Sequence, residues 1–345
     1  MTVFNLAIEL AYWQQTVIRS VLALVAVLLP AGTLVYLYLF KMMSFMQSRL
    51  GPMEAGPYGS LQLLAEVGKF LQKEDLFPRA ADRVVFKAAP FVVLASTFLL
   101  VLVLPAGPDA WFINIDTGVF LALAVSSISV IGILMAGWGS ASKYSLIGGL
   151  RAAGQLVAYE LPLVLAVMGV VIQAGTLNVQ EIVLAQANGE IFGWGGIGNP
   201  FIITQFLGFI IFLVAIQAEL TQPPFDMPVA ESEIVTGYLT EYTGMRFLLF
   251  FIGEFATAGI FSALAATFFL GGWYFPGLDP TDNLFNLLGP VVLIGKMLLV
   301  SFLIFWFRFT YPRFREDQLQ QLAWKVLVPL SLLNIVVTGV LKVMF

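Results

Sequence analysis

The chain contains no cysteine and no histidine. The first absence excludes disulfides and thiolate-ligated iron–sulfur clusters. The second excludes haem ligation by histidine, takes away the commonest metal ligand, and removes the usual proton shuttle near neutral pH. Charge is scarce as well: 11% of the 345 residues are charged and 59% are hydrophobic, with mean hydropathy +0.92. Soluble domains carry about 25% charged residues, so this balance indicates a polytopic α-helical membrane protein. The apolar runs are long and continuous, which excludes a transmembrane β-barrel built from short alternating segments. A net charge of −4 is small and says nothing about nucleic acid, and no nucleic-acid partner is expected. Any proton handling must therefore fall to carboxylates. No cleavable signal peptide is expected, because Glu9 lies among the first residues and the first long apolar run reads as a span.

Apolar runs long enough to cross a bilayer lie at about 17–40, 88–105, 118–138, 155–175, 201–220, 246–271, 288–307 and 325–344, which makes eight. Lys41, Arg49, Lys69, Lys73, Arg79, Arg83 and Lys87 separate the first two, Lys143 and Arg151 the third and fourth. Arg246 closes the connection between the fifth and sixth, and Arg308, Arg313 and Arg315 follow the seventh. The alternate connections, about 106–117, 176–200 and 272–287, hold no Lys or Arg. The positive-inside rule then places 41–87, 139–155, 219–246 and 308–324 on the cytoplasmic side and both termini on the other. The expected architecture is one all-α polytopic membrane domain over 1–345 with eight transmembrane helices, in a bacterial cytoplasmic membrane. Within 59–73, Leu61, Leu64, Val67, Phe70 and Leu71 fall at helical spacing, which predicts an amphipathic helix at the membrane interface. The Gly-rich stretch 186–200 reads as loop, and no internal repeat is present.

Acids at membrane depth are costly, about 2.5–3.5 kcal/mol or more each, and so mark functional positions facing the bundle interior. Three fall within or at the edge of the spans: Glu160, Glu219 and Glu254. Asp226, Glu231, Glu233 and Glu241 follow the double proline Pro223-Pro224, which no helix can cross. Two readings of this acidic stretch stand side by side. It is a solvated loop, or it is a set of partly buried carboxylates that share and pass protons. Arg246 is available to pair with one of them, and the bases of 41–87 are attracted to lipid head groups.

The stretch Ala218-Glu219…Pro224-Phe225-Asp226-Met227-Pro228-Val229-Ala230-Glu231-Ser232-Glu233…Glu241-Tyr242-Thr243-Gly244-Met245 resembles a signature of respiratory complex I, the proton-pumping NADH:quinone oxidoreductase family. The component it resembles is the quinone-chamber membrane subunit. Gln47-Ser48-Arg49-Leu50-Gly51-Pro52, Leu150-Arg151-Ala152-Ala153…Tyr159-Glu160, Gly253-Glu254-Phe255 and Tyr311-Pro312-Arg313-Phe314-Arg315 match in collinear order. The resemblance implies a membrane component that forms the quinone-access chamber and links quinone reduction to proton translocation. By position it implies a proton pathway of Asp226, Glu231, Glu233, Glu219, Glu160 and Glu254, and a chamber touched by Arg49, Lys69, Arg151, Phe225 and Glu241. Quinone would be the substrate, with no covalent cofactor, iron–sulfur cluster, haem or flavin in this chain. The partners implied are the other membrane subunits and the peripheral redox arm, with membrane lipids around them. The family's acid and bases are replaced at Leu39, Phe40 and Gln222. The corresponding component of a ferredoxin-linked or hydrogenase-linked complex is the alternative. A stand-alone proton-coupled transporter would call for an inverted repeat that the chain lacks.

Overall fold

The structure is a computed structural model that describes residues 12–189, 198–276 and 284–344. Among these residues every regular element is helical. Seven helices are long and apolar enough to cross a membrane: α1 (Thr16–Met46), α3 (Arg83–Val103), α4 (Gly118–Gly139), α5 (Lys143–Ala174), α8 (Gly244–Phe269), α9 (Leu287–Thr310) and α10 (Glu316–Met344). Between them lie α2 (Gln62–Gln72), α6 (Val179–Asn188) and α7 (Phe206–Glu219). The fifth expected span, 201–220, is the one that differs. It is interrupted at Gln205, leaving the turn Phe201–Thr204 and the 14-residue α7. A helix of that length rises about 21 Å, short of a hydrocarbon core of about 30 Å.

The ends of the helices follow from local chemistry. Asp82 caps α3, its Oδ1 accepting from the amides of Val84 at 3.0 Å and Val85 at 3.3 Å. Asn178 does the same for α6, a helix within the 176–200 connection that hydropathy alone does not reveal. Most of the Gly-rich stretch beyond it lies outside the described residues. Gly175 ends α5 in the left-handed region, at φ 80°. α5 is 32 residues long and starts at Lys143, well before the apolar run at 155. Hydropathy locates the lipid-matched part of a helix, not its polar extension.

Two groups of helices share the core. α8 packs on α1, α3 and α9, while α5 packs on α4, α7 and α10. Small residues set the approach distances. A Cβ on Gly137 of α4 would stand 3.0 Å from the Cα of Gly149 on α5. One on Gly148 would stand 2.6 Å from the amide nitrogen of Tyr238. Gly148 therefore lets the loop between α7 and α8 lie directly on the α5 backbone. The amphipathic helix α2 is present where expected. It leaves Leu64 and Leu71 exposed and stacks Phe70 on Phe247 at the start of α8, with centroids 5.6 Å apart.

Candidate functional site

The segment 220–243 leaves α7, turns at the double proline and folds back into the bundle. Gln155 of α5 fixes its first half: its Nε2 donates to the carbonyls of Ala218 at 2.6 Å and Phe225 at 2.7 Å. Gln217 donates to the Pro223 carbonyl at 2.7 Å, and the Phe314 amide donates to the Pro224 carbonyl at 3.0 Å. The Phe225 ring packs edge-on to Tyr159, with centroids 5.2 Å apart, and against Phe314 at 5.5 Å. In the second half, Tyr242 stacks on Phe86 at 4.1 Å and donates to its carbonyl at 3.0 Å. Gln222, Phe225, Met227, Tyr238 and Tyr242 are all buried. The segment is a packed part of the fold.

The candidate acids other than Glu241 fall into three sets. The first surrounds a cavity of about 180 Å³ lined by Gln222, Asp226, Glu231, Glu254, Phe255 and Arg308 among others. Arg308 of α9 donates to the Oε1 of Gln222, and the Nε2 of Gln222 donates to the Oε1 of Glu254. The guanidinium itself stays 3.8 Å from Glu254. Burial pushes the Asp226 carboxyl up to about 6, against the pull of Arg313; the like charge of Glu254 adds to the rise, and a hydrogen bond from Ala230 and the charge of Arg308 oppose it. Tyr238 is buried beside Glu254 and Asp226, and burial pushes its phenol above the ordinary value.

The second set is at the open end of the loop. Glu233 pairs with Arg151 at 2.6 Å and with Arg313 at 3.3 Å, and Arg151 lies 3.9 Å from Glu316. The hydrogen bond from Arg151, followed by the charge of Arg313, holds the Glu233 carboxyl below its usual value. The third set is inside the bundle. Glu160 accepts from the hydroxyl of Ser127, where the regular turns of α4 are interrupted. Glu219 Oε2, at the end of α7, is buried without a partner among the described residues.

The structure thus divides the loop acids. Glu233 is solvated and ion-paired and Glu231 is exposed at the cavity rim, while Asp226 and Glu254 are half-buried. Glu241 is half-buried and lines neither the cavity at Gln222 nor the one at Glu233. Arg246 pairs with none of these acids. It bonds Asp75 at 2.8 Å and covers the Phe77 ring at 3.8 Å, tying the chain after α2 to the start of α8. Arg49 donates to Gln47 at 2.8 Å and Lys69 stands 4.9 Å over the Phe70 ring. Neither forms an ion pair with a loop acid among the described residues. Arg308, Arg313, Ser127 and Gln155 belong to the site although their places in the sequence assign them no part in it. Arg308 had a signal: it interrupts an aromatic run, Phe305-Trp306-Phe307-Arg308-Phe309.

Residues 18–339 match the family model described as NADH dehydrogenase. The chain belongs to the NADH dehydrogenase family. Relatives named as the H subunit of NADH-quinone oxidoreductase, from Bacillus thuringiensis (strain Al Hakam), Bacillus cereus (strain AH187) and Bacillus anthracis (strain A0248), are each 44% identical over 306 residues. The match covers 88% of this chain and 87% of each relative. Members of this family are integral membrane subunits of the complex I oxidoreductase, and the apolar helices described above agree with that placement. Family membership replaces the stand-alone transporter with a component that works among others.

Proposed function

We propose that the chain forms the quinone-access chamber of an NADH-driven complex I and carries the first buried carboxylates that link quinone reduction to proton translocation. The cavity at Gln222 carries this reading. It joins a permanent cation, Arg308, to two half-buried acids, Asp226 and Glu254, under a loop ordered by Gln155. Charge appearing on a quinone near the loop would change the proton affinity of these acids, because opposite or like charges within about 4–6 Å shift carboxyl pKa values by about 1–3 units. Glu219 and Glu160 continue the path into the bundle, with Ser127 holding the carboxylate of Glu160. Glu231 and Glu233 stand at the entrance, Glu233 clamped by Arg151 and Arg313. In this reading Phe225 and Glu241 shape the loop side of the chamber, and Arg49 and Lys69 lie along the approach from α1 and α2.

The eight-span topology belongs to the same proposal, with α7 and the turn before it completing the count. Both termini then face away from the cytoplasm, and the loop 219–246 meets the redox arm on the cytoplasmic side. The flavin and the clusters sit on partner subunits. A photoreactive quinone added to the assembled complex tests the chamber. Label on the segment 222–255, competed away by excess quinone, is the expected result. Label confined to other subunits would contradict it.

A further inference from the structure

Among the described residues, the side chain of Gln222 bonds two groups, and their chemistry fixes which way the amide points. Arg308 can only donate, so it takes the Oε1 of Gln222. That leaves the Nε2 of Gln222 to donate to Glu254. Gln222 is buried, and its own backbone bonds, from its amide to the Gln217 carbonyl and from the Phe225 amide to its carbonyl, hold it at the end of α7. The consequence for Glu254 is twofold. The guanidinium is kept 3.8 Å away, so no bidentate ion pair of the kind arginine forms with a carboxylate is made. And Oε1 already accepts from Gln222, so Oε2 is the oxygen left free of that bond to take up a proton.

We propose that Gln222 is a positioning residue, an amide spacer oriented by Arg308 that keeps Glu254 near a cation yet free to exchange its proton. This rests on the proposed proton path through Glu254. The other ionisable groups facing the pair are Asp226 and Tyr238 from the loop and Glu231 at the rim. None of them is hydrogen-bonded to Gln222 among the described residues. Remove the spacer and Arg308 is the nearest cation to Glu254, with nothing between them. The carboxylate would then be held ionised by a direct pair.

The test uses the whole complex in sealed membrane vesicles, reading protons translocated per quinone reduced. Gln222→Ala should lower that ratio about tenfold, with normal subunit content. Adding Arg308→Gln to Gln222→Ala should recover part of the loss, because the cation that traps Glu254 is gone. A purely structural glutamine predicts the opposite, a double variant no better than the single one. Unchanged coupling in Gln222→Ala, or no recovery in the double variant, overturns the proposal. Should Gln222→Ala not assemble, Gln222→Asn, which keeps the amide but is too short to span both partners, is read by the same two criteria. Glu254→Gln run alongside separates the two levels. Normal coupling there removes the proton path itself, whereas lost coupling there with normal coupling in Gln222→Ala removes only the spacer.

Discussion

Asp226 and Glu233 are seven residues apart, and their surroundings push them in opposite directions. Asp226 is raised to about 6 by burial, and Glu233 is lowered by Arg151 and Arg313. For Asp226 the folded value lies above that of an unfolded carboxyl, about 4. Proton binding by Asp226 therefore stabilises the fold, fully below about pH 4, and that contribution is lost as pH rises through about 6. Asp226→Asn mimics the protonated acid. It should raise the melting temperature of the complex at pH 7 by an amount corresponding to at most about 3 kcal/mol, with the difference vanishing near pH 4. Identical pH dependence in variant and wild type would refute the assignment. Glu233 follows the reverse sign: its contribution is present above the usual carboxylate range and is lost on acidification. Being half-exposed, its pairs are also weakened by salt. Glu160, Glu219 and Glu254 stood out in the sequence because carboxylates in apolar runs are rare, whereas Asp226, Glu231 and Glu233 were singled out only by the resemblance of their loop to a family signature. Their partners were not legible, since Ser127, Gln155 and Gln222 are ordinary residues whose roles exist only once four helices meet. Arg308 carried one signal, its place inside an aromatic run, and nothing that tied it to Gln222.

At the scale of elements, α5 organises the site. It presents Arg151, Gln155, Tyr159 and Glu160 over less than three turns, and Gly148 seats the loop against it. Gln155→Leu would leave the carbonyls of Ala218 and Phe225 without that donor in a buried setting. Each such loss costs about 1–3 kcal/mol. The variant should melt at lower temperature, and limited proteolysis should cut first within 220–243. An unchanged cleavage pattern would show that the loop holds itself. Hydropathy found the lipid-crossing lengths of most helices. It read 201–220 as one continuous run, because it cannot see that the helix breaks at Gln205, whose side chain bonds Asn334 and Thr338. It also missed α6 and the polar start of α5, where caps and tertiary contacts decide.

For the molecule as a whole, the exposed apolar faces of α1 (Val21, Leu24, Leu28) and α10 (Leu332, Val336, Val340) suit lipid or neighbouring membrane subunits. The absence of native cysteines makes sidedness directly measurable. Single cysteines at Ser60 and Ser232 should react with an impermeant maleimide from the cytoplasmic face, and one at Thr117 from the opposite face. Any other pattern reverses the topology. That carboxylates lining the cavity at Gln222 tie quinone reduction to proton movement is read most simply at Glu254 and at Glu231 on its rim. Glu254→Gln and Glu231→Gln should each leave the complex assembled while abolishing quinone reduction or the proton translocation driven by it. Normal proton-coupled turnover in both variants would contradict the account.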